Sequence, residues 1–170
     1  MKIYLVRHAE AVEQAEGLED GTRWLTAKGR KTMQKASKRL HRQKVRPELI
    51  ITSPLTRAVQ TAELLMSELG RKSELAADRQ LAPDSSPEQV MALIRSQHKI
   101  DSIMLVGHEP LLSRTAALLL GRESVAGLAK ASCLCLEYRD KPGKPAKFAW
   151  YAVPLHKLIS SARKALGPAQ

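Results

Sequence analysis

The sequence predicts an α/β fold built on a mostly parallel central sheet. Three observations predict it. Short apolar runs at 2–6, 49–52 and 102–106 alternate with stretches of helical period. Each of these runs stops abruptly at polar groups: Arg7-His8, Ser53 through Arg57, and Gly107-His108. Ligands of open α/β sheets bind outside the carboxyl ends of the strands, so three separated segments converge on one edge. The length of 170 residues sets a single domain, 1–170, as the expectation.

In chain order, residues 2–6 form the first strand. Residues 9–23, rich in Glu, Gly and Asp, lack a clear period and are read as a loop. Leu25-Thr26-Ala27-Lys28-Gly29 opens a helix with Thr26 as N-cap, and Met33, Ala36 and Leu40 fall on one face. Val45-Arg46-Pro47 is expected to end it. Residues 49–52 form a short strand. Ser53 as N-cap and Pro54 in the first turn then start a second helix, which Gly70 is expected to stop. Its apolar face runs through Leu55, Ala58, Val59, Ala62, Leu65, Met66 and Leu69, with Arg57 near its start.

Residues 74–77 read as a weak edge strand, and 81–87 as a loop. A helix follows over 87–97, with Val90, Met91, Leu93 and Ile94 inward. The central strand, 102–106, leads to His108. Residues 111–120 are apolar nearly all round, as in a helix packed in the interior, and Gly121 ends it. Strands at 132–138 and 147–153 flank the turn Lys141-Pro142-Gly143-Lys144-Pro145 and form a hairpin. Leu155, Leu158, Ile159, Ala162 and Leu166 suggest a final amphipathic helix, followed by a tail over 167–170.

Composition excludes several classes. No segment is long and apolar enough to span a membrane, and the early charges at Arg7 and Glu10 do not fit a signal peptide, so a cytoplasmic protein is expected. Cys133 and Cys135 lie two apart on a strand, facing one way, which suits small buried hydrophobes better than a disulfide or a zinc site. The net charge of +11 favours anionic partners. With 4% aromatic residues and no run that interleaves them with Lys and Arg, base stacking on nucleic acid is poorly supported. The expected partners include no nucleic acid and no membrane.

A phosphoryl group needs cations and N–H donors around its oxygens. Arg7 and Arg57 supply forked donors, and the helix starts after Ser53 and His108 offer positive ends. One imidazole can act as in-line nucleophile while the other hydrogen-bonds a phosphoryl oxygen. No cofactor is called for. No carboxylate cluster suggests magnesium, and the metal expectation is none. Taken singly, each residue has a plainer role. His8 alone reads as a core histidine, Arg7 as a partner of Glu10, Arg57 as part of a solvated helix face, and His108 as a cap. Their joint placement favours function. His41, His98 and His156, among Lys, Arg and Gln, are assigned to surface or packing.

These residues resemble the histidine phosphatase superfamily, which includes the phosphoglycerate mutases. The family opens strand–Arg–His–Gly–Glu; here it reads Val6-Arg7-His8-Ala9-Glu10. Its second element is matched in full by Ser53-Pro54-Leu55-Thr56-Arg57-Ala58-Val59-Gln60-Thr61-Ala62. Its Gly-His element is Gly107-His108-Glu109-Pro110, and Leu25-Thr26-x-x-Gly29 fits too. By motif the resemblance runs from Lys2 to about Leu120.

The resemblance implies a phosphoglycerate mutase-like fold, a three-layer α/β/α sandwich. It implies His8 as the phosphorylated nucleophile, Arg7 and Arg57 on the phosphoryl oxygens, and His108 completing the pocket, with Ser53 and the backbone N–H of Glu109 contributing. Two departures stand out. Ala9 replaces a glycine. The Glu general acid that many members carry in a long insertion after the second helix is not evident, Asp78 and Asp84 being the nearest candidates. The short chain and missing acid resemble the bacterial protein-phosphohistidine phosphatase branch. An imidazole leaving group depends less on an enzyme acid than an alkoxide does. The implied activity is metal-independent dephosphorylation of phosphohistidine on a phosphotransfer domain of a signalling pathway. The alternatives are a phosphatase of small phosphoesters or nucleotides and a non-catalytic anion- or nucleic-acid-binding module.

Overall fold

The computed structural model describes residues 1–69, 73–141, 143–154, 156 and 158–167. Its strands are β1 (Lys2–Arg7), β2 (Leu49–Thr52), β3 (Glu74–Ala77), β4 (Ser102–Gly107), β5 (Cys133–Glu137) and β6 (Lys147–Ala152). They form one sheet in the order β3-β2-β4-β1-β5-β6. The β1–β4, β4–β2 and β2–β3 pairs are parallel, whereas β5 runs antiparallel to both β1 and β6. The expected mostly parallel sheet, the weak edge strand at 74–77 and the terminal hairpin are all present.

Alternation along the strands sorts side chains into two cores. Ile3, Leu5, Ile103, Leu105, Leu134 and Leu136 face α3 (Pro87–Ser96) and α4 (Leu111–Leu120). Tyr4, Val6, Met104, Val106, Cys133 and Cys135 face α1 (Ala27–Arg42) and α2 (Thr56–Leu69). These are the three expected layers. Burying each such aliphatic side chain contributes about 1.5–3 kcal/mol. Both cysteines are free and buried.

Several boundaries differ from the expectation. Thr26 caps α1 as expected, its Oγ1 accepting from Gly29 N at 2.9 Å. The helix ends before Val45-Arg46-Pro47, however. Lys44 adopts a left-handed φ of 59°, its N–H reaches His41 O, and Val45 N–H reaches Leu40 O. That pairing satisfies the last carbonyls, and Val45 packs beside Leu40 in the same core. Likewise, α2 starts at Thr56 rather than immediately after Ser53. Ser53 Oγ accepts the Leu55 N–H in a tight turn at 3.3 Å, and Leu55 O takes the first helical bonds.

The expected stop at Gly70 and the Pro142 position of the hairpin turn lie outside the described residues, as do Leu155 and the tail beyond Gly167. The long terminal helix is corrected: α5 covers only Ala162–Leu166, and Ile159 pairs with Tyr151 in an isolated antiparallel bridge. The apolar spacing over 158–166 serves two segments, an added bridge at the sheet edge and a single helical turn over it.

The loop over 9–23 is tied down at both ends. Ala11 bridges to Leu25, and a 3-10 turn spans Asp20–Thr22. Gly29 lies against the backbone of Glu10, where an added Cβ would sit 2.0 Å from the Glu10 carbonyl oxygen. Only glycine lets α1 start so close to the chain leaving β1. Among the described residues, no helix is long and apolar enough to cross a membrane.

Candidate active site

Neighbouring parallel strands bring the two histidines together. The β1–β4 register sets Arg7 against Gly107, so His8 and His108 leave the sheet side by side. Their ring centroids are 5.0 Å apart, with the planes tilted by 54°. Both are buried, as are Ser53 and Arg57. The readings of His8 as a lone core histidine and of Arg57 as part of a solvated helix face therefore give way to a single buried cluster.

His8 Nδ1 donates to the Ala9 carbonyl at 2.7 Å. That fixes the neutral tautomer and leaves the lone pair on Nε2. Burial lowers the His8 pKa to about 4; the Ala9 hydrogen bond opposes the shift, and Arg57, Arg7 and Lys130 add to it. His108 is lowered to about 3, first by burial and then by His8 and Arg57. Both rings are therefore neutral at pH 7. His108 Nε2 is 2.8 Å from Ser53 Oγ, while its Nδ1 is buried without a partner.

Arg7 uses one nitrogen on Leu128 O at 2.7 Å, and its Nε is buried and unpartnered. Arg57 is engaged differently from the expectation. It donates to Asp20 O at 2.7 Å and to Asp20 Oδ2 at 2.9 Å. Asp20 also accepts from Arg23 at 2.7 Å. Burial works to raise the Asp20 pKa, but the hydrogen bonds from Arg57 and Arg23 outweigh it and hold the carboxyl below its ordinary range.

The remaining motif residues hold this cluster in place. Thr61 Oγ1 donates to Arg57 O at 2.7 Å and accepts from Ala9 N at 3.1 Å. Gln60 Oε1 accepts from Leu25 N at 2.8 Å. Glu10 binds Thr26 and Lys28 rather than Arg7 or a histidine. Glu109, next to His108, is half-buried, and its Oε1 is buried without a partner. Asp78 caps a 3-10 turn by accepting from Gln80 N, and Asp84 is exposed. Neither carboxylate makes a hydrogen bond or ion pair with the cluster. His41, His98 and His156 are all exposed. Asp20 escaped the sequence reading because it sits in an aperiodic loop; only the folded chain brings it to Arg57. Among the described residues, no group of three or more His, Cys, Asp or Glu side chains is placed to hold a metal ion.

The sheet edge thus carries two neutral imidazoles, with the buried Arg57 and with Arg7 beside them, a set of donors and a nucleophile that phosphoryl chemistry can use. Comparisons with known proteins bear on the family and the fold. Residues 3–82 match the model of the histidine phosphatase superfamily, branch 1. An uncharacterized protein of Picosynechococcus sp. strain PCC 7002 is 40% identical over 119 residues, covering 68% of this chain and 71% of its own. The protein histidine phosphatase SixA, solved with tungstate, superposes with a TM-score of 0.82 at 26% identity, over 91% of this chain and 97% of the other. A SixA structure from Agrobacterium tumefaciens gives a TM-score of 0.80 at 23% identity, over 90% and 97%. The chain belongs to the histidine phosphatase superfamily, and its fold is that of the SixA structures.

Proposed function

We propose that this phosphatase removes the phosphoryl group from phosphohistidine on a protein. The observation that carries the reading is the His8–His108 pair, with His8 Nδ1 tied to the Ala9 carbonyl. His8 Nε2 attacks phosphorus in line, its N–P bond forms, and the substrate's N–P bond breaks. The departing imidazole takes up a proton from solvent. Water then attacks phospho-His8, releasing inorganic phosphate and regenerating the ring. Arg7 Nε and the guanidinium of Arg57 stabilise the charge on the transferred oxygens. Ser53 Oγ–H donating to His108 Nε2 leaves the His108 proton on Nδ1, directed to a phosphoryl oxygen; the Glu109 N–H supplies a further donor.

The choice of leaving group rests on Asp20. It is the carboxylate bound to the cluster, and two arginines keep it ionised, so it is a poor proton donor at neutral pH. A phosphoramidate, whose imidazole accepts solvent protons, suits such a site better than an alkyl phosphoester. The free buried thiols fit a reducing compartment such as the cytoplasm.

The test compares turnover of a histidine-phosphorylated phosphotransfer domain with that of an aryl phosphate, both in EDTA, with His8→Ala as control. Preference for the phosphoprotein, lost in the control together with an acid-labile phosphoenzyme, is the expected result. Preference for the aryl phosphate would favour a small-phosphoester phosphatase. Unchanged turnover by His8→Ala would refute the assignment of the nucleophile.

A further inference from the structure

Helix α1 carries lysines and arginines but neither Asp nor Glu. Lys28, Lys31, Lys35, Lys38 and Arg42 are all exposed. Their spacing of three, four, three and four places them within an arc of about 80° on one side of the helix. They form a straight ridge about 21 Å long. The opposite side, through Met33, Ser37 and Leu40, is buried against the sheet and α2. Among the described residues, the one ion pair made by α1 is Lys28 to Glu10, at 3.0 Å. The other four charges face solvent without a carboxylate partner. Self-repulsion along such a ridge costs helix stability, and nothing in the packing requires it.

The ridge begins beside the catalytic cluster. The segment preceding α1 is bonded to the loop after His8 through Thr26 N to Glu10 O at 3.0 Å, and to α2 one turn beyond Arg57 through Leu25 N to Gln60 Oε1 at 2.8 Å. At its far end the chain passes Lys44 and Arg46 into a cleft of about 560 Å³, where Lys2, Arg139, Lys144 and Lys147 face the two carboxylates Asp101 and Glu137. Cations thus predominate from the active-site edge along α1 to the opposite end of the sheet.

We infer that this ridge docks the acidic face of the phosphoprotein substrate, an inference that rests on the proposed protein-phosphohistidine activity. A line of single charges at helical spacing matches a row of Asp and Glu on a partner helix. Nucleic acid fits less well. Among the described residues Trp24 is the one exposed Phe, Tyr or Trp, and aromatic side chains do not interleave with the cations of α1. The ridge steers the partner and holds it while its phosphohistidine enters the pocket; the chemical step does not use it.

The test is the triple variant Lys31→Glu/Lys35→Glu/Lys38→Glu. Glutamate is as good a helix former as lysine, and these side chains are exposed. A cooperative thermal transition with a melting temperature no lower than that of the wild type verifies folding. A histidine-phosphorylated phosphotransfer domain of net negative charge is compared with free phosphohistidine. For the domain, kcat/KM is expected to fall at least about tenfold, through KM, with kcat preserved. Turnover of free phosphohistidine is expected to stay the same. Raising salt should weaken the wild type on the domain and leave the variant little affected. Equal kcat/KM of variant and wild type on the domain overturns docking on this ridge.

If the wild type does not hydrolyse the domain, the functional reading fails by itself. Docking is then decided by binding of the unphosphorylated acidic domain. Binding that the triple variant loses sustains the inference; equal binding by both proteins, or none by the wild type, overturns it. Tighter binding of a single-stranded RNA oligonucleotide than of the domain, lost in the same variant, also overturns it, in favour of a nucleic-acid partner.

Discussion

Asp20 occupies the guanidinium of Arg57 through both its backbone carbonyl and its carboxylate, at 2.7 and 2.9 Å. Arg57 is 5% exposed, whereas the Asp20 side chain is half exposed. A buried cation is therefore satisfied by a half-exposed anion of the protein itself. In the proposed mechanism an incoming phosphoryl group would have to compete with that carboxylate for the same nitrogens.

Replacing Asp20 with Asn keeps its size and removes the competing charge. Asp20→Asn is expected to tighten inhibition by inorganic phosphate or tungstate. Water reaches the pair from its half-exposed Asp20 side, which holds its worth to about 0.2–1 kcal/mol, so the gain should be modest, up to about fivefold. Inhibition constants measured at fixed ionic strength check this. Weaker inhibition in the variant would show that Asp20 aligns Arg57 for the ligand instead of competing with it.

The two histidines predict an acid-sensitive fold with a particular window. Their pKa values in the folded chain, about 4 and about 3, lie below the ordinary 6.5. Above pH 6.5 both rings are neutral in the folded and unfolded chains alike, and stability is at its full value. As pH falls from 6.5 towards 4 and then 3, the unfolded chain binds protons that the folded chain refuses, so stability declines. Below the folded values both states are protonated and this loss ends. Ring-proton NMR titration of His8 and His108 should give midpoints below 5. Midpoints near 6.5 would contradict the buried neutral pair. If the proposed mechanism holds, the acid limb of kcat/KM is expected to follow the same two coupled groups.

Gly29 tests the seating of α1. Its missing side chain admits the Glu10 backbone, and a methyl group has no room there. Gly29→Ala is expected to cost about 1–3 kcal/mol through overpacking, despite the better helix propensity of alanine. Thermal unfolding should show a melting temperature lower by several degrees. An increase would mean that Glu10 and its loop yield easily.

The fold was largely legible because hydrophobic period and strand-end chemistry agree with each other. The run from Ile3 to Val6 is buried on both faces, and Arg7-His8 stands where a parallel strand must stop. The Ser53-to-Ala62 motif was legible as a unit, but the scaffolding roles of Gln60 and Thr61 were not. They depend on contacts to Leu25 and Ala9, which no local pattern records. Asp20 was hidden for the same reason. The final helix misled because Leu158 and Ile159 share a helical spacing with Ala162 and Leu166, whereas the open edge at Tyr151 recruits Ile159 into a bridge. Tertiary hydrogen bonding overrode local period there.

The pairing of β1 with β4 also bears on how the protein acquires activity. His8 and His108 lie about a hundred positions apart, and they meet only when these two strands lie in register. Closing so long a loop is among the slower steps a chain must take, and helices α1, α2 and α3 can form before it. A refolding sample therefore regains any activity of the pair only once β1 and β4 have come together. The proximity of these two rings is the chain's own reporter that the central sheet has closed.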